Sequence, residues 1–444
     1  MRVIKLAIAT LVLGLLGGVA NGATPSTIRP NLISTAALPS ASDDITQIIG
    51  SGNSWLVVGN VEKSTIPTSG LFPSEVSLGD TDGYIAMLDP ALRLIWSHRF
   101  GTSLADVATA IALGGDGRIW TVGVTTKEVP AVPSSPPIAT IAPSPPPLTP
   151  TTPIATVNPD GVVPVATSTP PAVADQLLIS SWSNTGQLLS QSLNLIADGI
   201  SINPTAVVSD KSGIYVVGTG VDPSAGTSRG FYVHITKDGM LGPIHWIGTK
   251  AVVLRTAALL RNGSLAVAGS ISETLKGKPS IGLVDALVVV VNPISGAVLR
   301  TLRSGFPSAF RSWESLSVDR FGNLTAIGPS RLGLKNEVVA TSFSSSGVVK
   351  FSLHFANPVG TQASLLPPTG NSAFLALSSI RPGRGGREAF LAPVDGRGRV
   401  LSPTYLAGKA GTGLLAAAHG HGYLLAVGDV SGITLSWFAP RSGK

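Results

Sequence analysis

The sequence predicts an all-β fold, a seven-bladed β-propeller of four-stranded antiparallel blades. Three observations lead there. A short hydrophobic run, ending in glycine in six of its seven copies, recurs along the chain, tight turns divide the copies into four runs, and an unassigned run near the N-terminus supplies the strand that the last copy lacks. The composition agrees. Its 51 Gly and 34 Pro in 444 residues suit turn-dense sheets and are badly tolerated in helices.

Taken in order, the recurring run reads SWLVVG to Gly59, RIWTVG to Gly123, GIYVVG to Gly218 and SLAVAG to Gly269. It continues as NLTAIG to Gly328, AFLALS to Ser378 and YLLAVG to Gly428. Successive spacings are 64, 95, 51, 59, 50 and 50 residues, the 95 holding an insertion, so the period is near 50. In the third copy the four runs are PTAVVSD, GIYVVGTG, GFYVHITKDG and GPIHWIG. The first two runs of a copy meet at turns such as Gly52-Asn53, Asp116-Gly117, Ser212-Gly213, Asn262-Gly263, Gly322-Asn323 and Gly370-Asn371. The last two meet at Thr185-Gly186, Asp238-Gly239 and Ser295-Gly296. These residue types accept the positive φ that hairpin turns demand. Paired hairpins at this period describe a propeller blade and not a solenoid coil. The last copy has only three runs, and NLISTAALP, about residues 31–39, is available as its fourth strand. That pairing closes the ring and covers a sheet edge.

The stretch GTSLADVATAIALGGDGRIWTVGVTT (Gly101 to Thr126) resembles the bacterial β-propeller repeat of the SBBP type. In that repeat an Asp precedes an alternating strand, a D-x-x-G turn follows, and a second strand ends in V-x-G. The run GYIAMLDPALRLIWSHRFG is similar to quinoprotein-type propeller repeats. The likeness is close only in the second copy. It implies a fold and leaves activity open, because one fold hosts many functions.

The N-terminus carries Arg2 and Lys5, an apolar run from Leu6 to Ala20, and small residues at Ala20 and Gly22. It reads as a signal peptide over residues 1–23, cleaved near Gly22 or Ala23, with an uncleaved anchor as the alternative. Residues 24–444 then form one propeller domain, expected outside the cell or in its envelope. There is no cysteine, which removes disulfides, thiol catalysis and a lipid-attachment cysteine. Without Arg2 and Lys5 the chain holds 29 basic and 24 acidic residues, a net of +5, which gives no reason to propose nucleic acid as a partner. No membrane span is expected after cleavage, and a monomer is expected.

Residues 127–174 hold 14 of the 34 prolines and little charge, a composition for polyproline II or disorder. This insertion is either a stalk or partner-binding arm, or a surface excursion without a role. It belongs to a wider pattern. The long excursions Lys63 to Gly79, 127–174, Glu273 to Val284 and Arg381 to Arg387 all follow the second strand of a copy. In a meander those connections leave one face, the expected interaction face.

Chemistry is sparse. His419 and His421 make a weak metal pattern, and Asp80 and Asp82 suit either calcium or a turn leading into a strand. Arg381, Arg384, Arg387, Arg397 and Arg399 are the densest charge in the chain, a candidate anion-binding loop or a solvated surface. Known nucleophile, zinc-helix, phosphate-loop and dinucleotide motifs are absent, and no cofactor is expected. The seven tryptophans mostly fall in strand runs, where packing is their expected role. The expectation is an exported, non-catalytic binding or scaffold module for protein or polysaccharide. The alternative is a propeller enzyme acting on carbohydrate at the axial mouth, and a purely structural envelope component also remains open.

Overall fold

A computed structural model of the chain describes residues 30–38, 44–62, 76–126, 175–275, 277–356, 358–369, 372–380, 387–400, 404–406, 414–419, 422–429 and 432–440. The expected leader and the insertion at 127–174 lie outside the described residues. Among the described residues every regular element is a strand, and no helix is long and apolar enough to cross a membrane.

The strands form seven antiparallel sheets. Strand β1 (Pro30–Leu38) stands apart from its neighbours in sequence. Blade one is β2 (Asp44–Ser51), β3 (Ser54–Glu62), β4 (Thr81–Leu88) and β5 (Leu94–Phe100). Blade two is β6 (Asp106–Leu113), β7 (Ile119–Thr125), β8 (Gln176–Trp182) and β9 (Leu188–Leu195). Blade three is β10 (Ser201–Ser209), β11 (Gly213–Asp222), β12 (Thr227–Thr236) and β13 (Leu241–Ile247). Blade four is β14 (Val252–Leu259), β15 (Leu265–Ile271), β16 (Asp285–Val291) and β17 (Val298–Ser304).

Blade five departs from the expected four strands. Its inner strand is broken into β18 (Ala309–Arg311) and β19 (Ser315–Val318), both paired with β20 (Leu324–Leu332), before β21 (Lys335–Phe343) and β22 (Val349–Ala356). The break falls at Trp313, which turns into the core and is fully buried. Blade six is β23 (Pro358–Thr369), β24 (Ser372–Ile380), β25 (Arg387–Val394) and β26 (Thr404–Leu406). Blade seven is β27 (Leu414–His419), β28 (Gly422–Asp429) and β29 (Gly432–Pro440), completed by β1.

Ring closure is as the sequence predicts. β1 pairs with β29 from Pro30↔Pro440 to Leu38↔Ile433, so the two ends of the chain share one sheet. The inner strands β27, β2, β6, β10, β14, β19 and β23 each neighbour the next, and β23 returns to β27. The residue ending each recurring run, glycine everywhere but at Ser378, lies on the second strand of its blade.

That glycine has a steric cause. The inner strands of blades one to four each carry a bulge, between Ile45 and Gln47, Ala108 and Ala110, Pro204 and Ala206, and Leu254 and Thr256. The extra residue swings an inner-strand carbonyl over the neighbouring strand. A Cβ on Gly218 would stand 2.5 Å from the Asn203 carbonyl oxygen, inside van der Waals contact. Gly123, Gly269 and Gly328 are pressed in the same way by Val107, Val253 and Ser312. The bulge residue also restores a lost ladder bond: Thr46 Oγ1 donates to Val58 O at 3.2 Å, and Thr109 Oγ1 to Val122 O at 3.2 Å.

The residue after the glycine ties blade to blade. Asn60 Oδ1 accepts from Ala108 N at 2.6 Å, and Thr219 Oγ1 accepts from Leu254 N at 3.0 Å. The core lies between blades, not inside one: Trp120 and Ile179 meet Val216 and Phe231, and Trp313 meets Val288 and Phe343. Trp55, Trp120, Trp182 and Trp313 are all buried in these seams, in agreement with a packing role. Truncating such a side chain costs about 3–5 kcal/mol, so the seams dominate the stability of the ring.

Removing residues 1–38 should leave the β29 edge open, lower the melting temperature and promote aggregation. A synthetic peptide of residues 30–38 should restore the melt in part. An unchanged melting temperature for the truncated chain would contradict closure by β1.

Candidate functional site

The connections between second and third strands leave one rim of the ring. Those of blades one, two, four and six are the long ones, whereas β11 to β12 and β20 to β21 are tight. Residues 63–75, 127–174 and 381–386 lie outside the described residues, so the rim is visible at the base of the first loop and through most of the fourth.

Both visible segments use one device, written in sequence as S-x-G-x-x-D. In blade one the Asp82 carboxylate accepts from Ser77 Oγ (3.0 Å), Leu78 N (3.0 Å), Gly79 N (2.9 Å) and Arg99 Nη1 (3.1 Å). In blade four Asp285 accepts from Ser280 Oγ (3.4 Å), Ile281 N (2.8 Å), Gly282 N (2.7 Å) and Arg303 Nη2 (2.9 Å). Both ion pairs are buried. A buried carboxylate is tolerable only when its lone pairs are filled in this way, and removing one partner costs about 3–5 kcal/mol. The same register position carries Glu337 with His354 in blade five (2.9 Å), and Arg229 over Trp246 in blade three (4.2 Å to the ring centre). Of the two readings of Asp80 and Asp82, this geometry supports the turn leading into a strand. Among the described residues no group of three metal-ligating side chains gathers.

Glu273 anchors the fourth loop from its other end. Its carboxylate accepts from Thr249 N (2.7 Å), Thr249 Oγ1 (2.5 Å) and Lys250 N (3.3 Å), joining the loop to the link between blades three and four. Burial pushes the Glu273 carboxyl up, but these hydrogen bonds outweigh it and hold the group below its ordinary 4.5.

On this base the rim of blades four and five presents apolar side chains to water. Leu283 N donates to Ala309 O (3.0 Å), Arg311 N to Val284 O (3.0 Å), and Phe310 pairs with Arg331 on β20. Three separate segments therefore run side by side. They expose Ile281, Leu283, Phe306, Phe310, Leu332 and Leu334, between 41% and 97% accessible. Sequence reasoning placed the loops on this rim but missed the patch.

The arginine group is not brought together. Arg387 opens β25, whereas Arg397 and Arg399 follow its far end, at the opposite rim. Arg399 Nε donates to Asp395 at 2.6 Å, and the Arg397 amide donates to the same carboxylate at 2.9 Å, closing a hairpin turn. Arg381 and Arg384 lie outside the described residues, as does His421, while His419 ends β27.

One grouping has the residue types of a hydrolase. Ser212 Oγ is 3.0 Å from His234 Nε2 and 2.7 Å from Asp210 Oδ1. A catalytic triad needs the carboxylate on the far side of the imidazole, where it orients the base. Here Asp210 bonds the serine directly and also accepts from Ser212 N and Gly213 N at 2.7 and 3.0 Å. Burial pushes Asp210 up, and those bonds more than offset it. Burial lowers His234, against the pull of Asp210. The charge-assisted bond to Asp210 takes the serine proton, so the trio caps a turn and leaves Ser212 without a base. In the inner ring Arg255 Nε, on the bulge of blade four, and Glu314 Oε2, in the break of blade five, stand 3.9 Å apart.

No protein family profile and no curated protein matches the chain. Solved structures do. A protein of unknown function from Dyadobacter fermentans DSM 18053 is 11% identical, covers 93% of this chain and 99% of its own, and has a TM-score of 0.45. The polysaccharide lyase Uly1 is 8% identical over 89% of each chain, with a TM-score of 0.46. A eukaryotic initiation factor is 9% identical over 88% of this chain and 66% of its own, with a TM-score of 0.35.

The Glu273 anchor has a pH signature. A folded-state value below 4.5 means its stabilisation is present above that pH and lost as pH falls through the lowered value. Glu273→Gln should lose about 1–2 kcal/mol at pH 7 in urea unfolding. The gap to wild type should narrow by pH 3.5. A gap independent of pH would contradict this assignment.

Proposed function

We propose that the protein is an exported binding module that holds a protein partner at the cell surface against the rim carrying its long loops. The observation that supports this reading is the apolar patch of blades four and five. Soluble monomers rarely leave large apolar side chains contiguous in water, and such patches mark interaction surfaces. Here two of the six, Ile281 and Leu283, sit on the loop whose base is locked by the buried Asp285–Arg303 pair, so that part of the patch is held in shape before any partner arrives. Preorganisation of that kind reduces the ordering cost of binding.

Export is the second half of the proposal and rests on residues 1–23, with Arg2 and Lys5 ahead of an apolar run. Fractionation of producing cells should place the chain outside the cytoplasm, and N-terminal sequencing should begin near Ala23 or Thr24. Binding is tested on immobilised cell-envelope proteins. Ile281→Asp with Leu334→Asp should weaken capture at least tenfold while leaving the melting temperature unchanged, because both positions are exposed. Equal capture by wild type and variant would sink the proposed rim.

A further inference from the structure

The opposite rim, built from the tight hairpin turns, holds a groove between blades four and five. It measures about 290 Å³ and is lined by Arg261, Asn262, Leu299, Arg300, Arg320 and Phe321, with no carboxylate among its lining residues. In a chain with 24 acidic and 31 basic residues, three arginines meeting around one groove make a local concentration of positive charge.

The turns that bring them together are rigid. Asp319 Oδ1 accepts from Phe321 N (2.8 Å) and Asn323 N (2.9 Å), and its Oδ2 accepts from Asn323 Nδ2 (2.6 Å). The nearby acid is therefore spent on holding the Arg320-Phe321 turn. Asn323 Oδ1 in turn accepts from Ser345 N at 3.1 Å, locking both hairpin turns of blade five to each other. Gly347, at φ +89°, lies against the Arg300 side chain, where even a methyl group would stand 3.0 Å from its Cδ. The Arg320 guanidinium carbon sits 4.7 Å from the centre of the Phe321 ring.

Around these cations the groove keeps an apolar character. Phe321 is 63% exposed and Leu299 57% exposed. A ligand that satisfies both features carries anionic groups in the plane of guanidinium edges and a C–H face for the aromatic ring. A carboxylated sugar unit has that combination. A phosphate ion or an acidic peptide offers the charge without the apolar face.

We propose that this groove binds one acidic sugar unit of a carboxylated polysaccharide, with Arg261 and Arg300 on the carboxylate and Phe321 against the ring. The site faces away from the loop rim, so the chain can hold a polysaccharide and a protein partner at once. Its size stands just under the usual range of about 300–1,000 Å³ for small-molecule pockets, which fits one sugar unit and not a longer buried chain.

The test is calorimetric titration of the full chain with tetragalacturonate, its methyl ester, inorganic phosphate and a short polyglutamate. Binding of tetragalacturonate is expected and should weaken as salt is raised. The methyl ester should not bind. Arg261→Gln, at an exposed position that folding does not depend on, should weaken binding at least fivefold, and its combination with Arg300→Met should abolish it. Phe321→Ala should weaken the sugar acid at least threefold. No binding of tetragalacturonate would overturn the proposal. So would equal binding of polyglutamate, of phosphate or of the methyl ester. Failure here leaves the loop-rim reading standing, because that surface is tested by different variants.

Discussion

The fold depends on a close approach inside blades two to five, where a bulged or broken inner strand presses a carbonyl onto a glycine of the second strand. The bulge bends the inner strand and increases its twist, which suits strands that must run along a ring axis. The neighbouring strand can follow only if it presents no Cβ at that point. Gly123, Gly218, Gly269 and Gly328 meet this requirement one blade after another. The sixth blade shows the converse: with Ser378 in the glycine's place, β23 changes register over the wider interval Pro358 to Ala363.

From that contact the next level of order follows. The residue after the glycine stands beside the next inner strand, where Asn60 and Thr219 reach across to its backbone. Blade thus follows blade at a set spacing, the seams fill with tryptophan and branched aliphatic side chains, and the last seam closes when β1 pairs with β29. Because each seam buries the faces of two blades, no blade is a unit of stability by itself.

Much of this architecture was legible before any coordinates. Period, turn residues and the leftover run at 31–39 specify seven blades and their closure, since each is a local signal repeated along the chain. The break in blade five was not legible, because SWES around Trp313 reads as an ordinary polar interruption. The S-x-G-x-x-D loops were written twice, as SLGDTD and SIGLVD, and a comparison of loops instead of strands would have found them. The surface features are harder. Ile281, Phe306, Phe310 and Leu334 come from separate segments, and an exposed leucine looks like a buried one in sequence. Arg261, Arg300 and Arg320 are likewise single charges in three turns and strands, whereas Arg387, Arg397 and Arg399 are close along the chain but stand at opposite ends of β25.

The most direct measurement is the stability of alanine variants at the second-strand glycines, by chemical denaturation, against Gly117→Ala. Gly117 lies in a turn at φ +80° with open space where a Cβ would go, so alanine there carries only backbone strain, about 1 kcal/mol. Alanine at Gly123, Gly218, Gly269 or Gly328 must displace an inner-strand carbonyl and should cost about 2–3 kcal/mol each. Second-strand variants as stable as wild type, or no less stable than Gly117→Ala, would contradict the account.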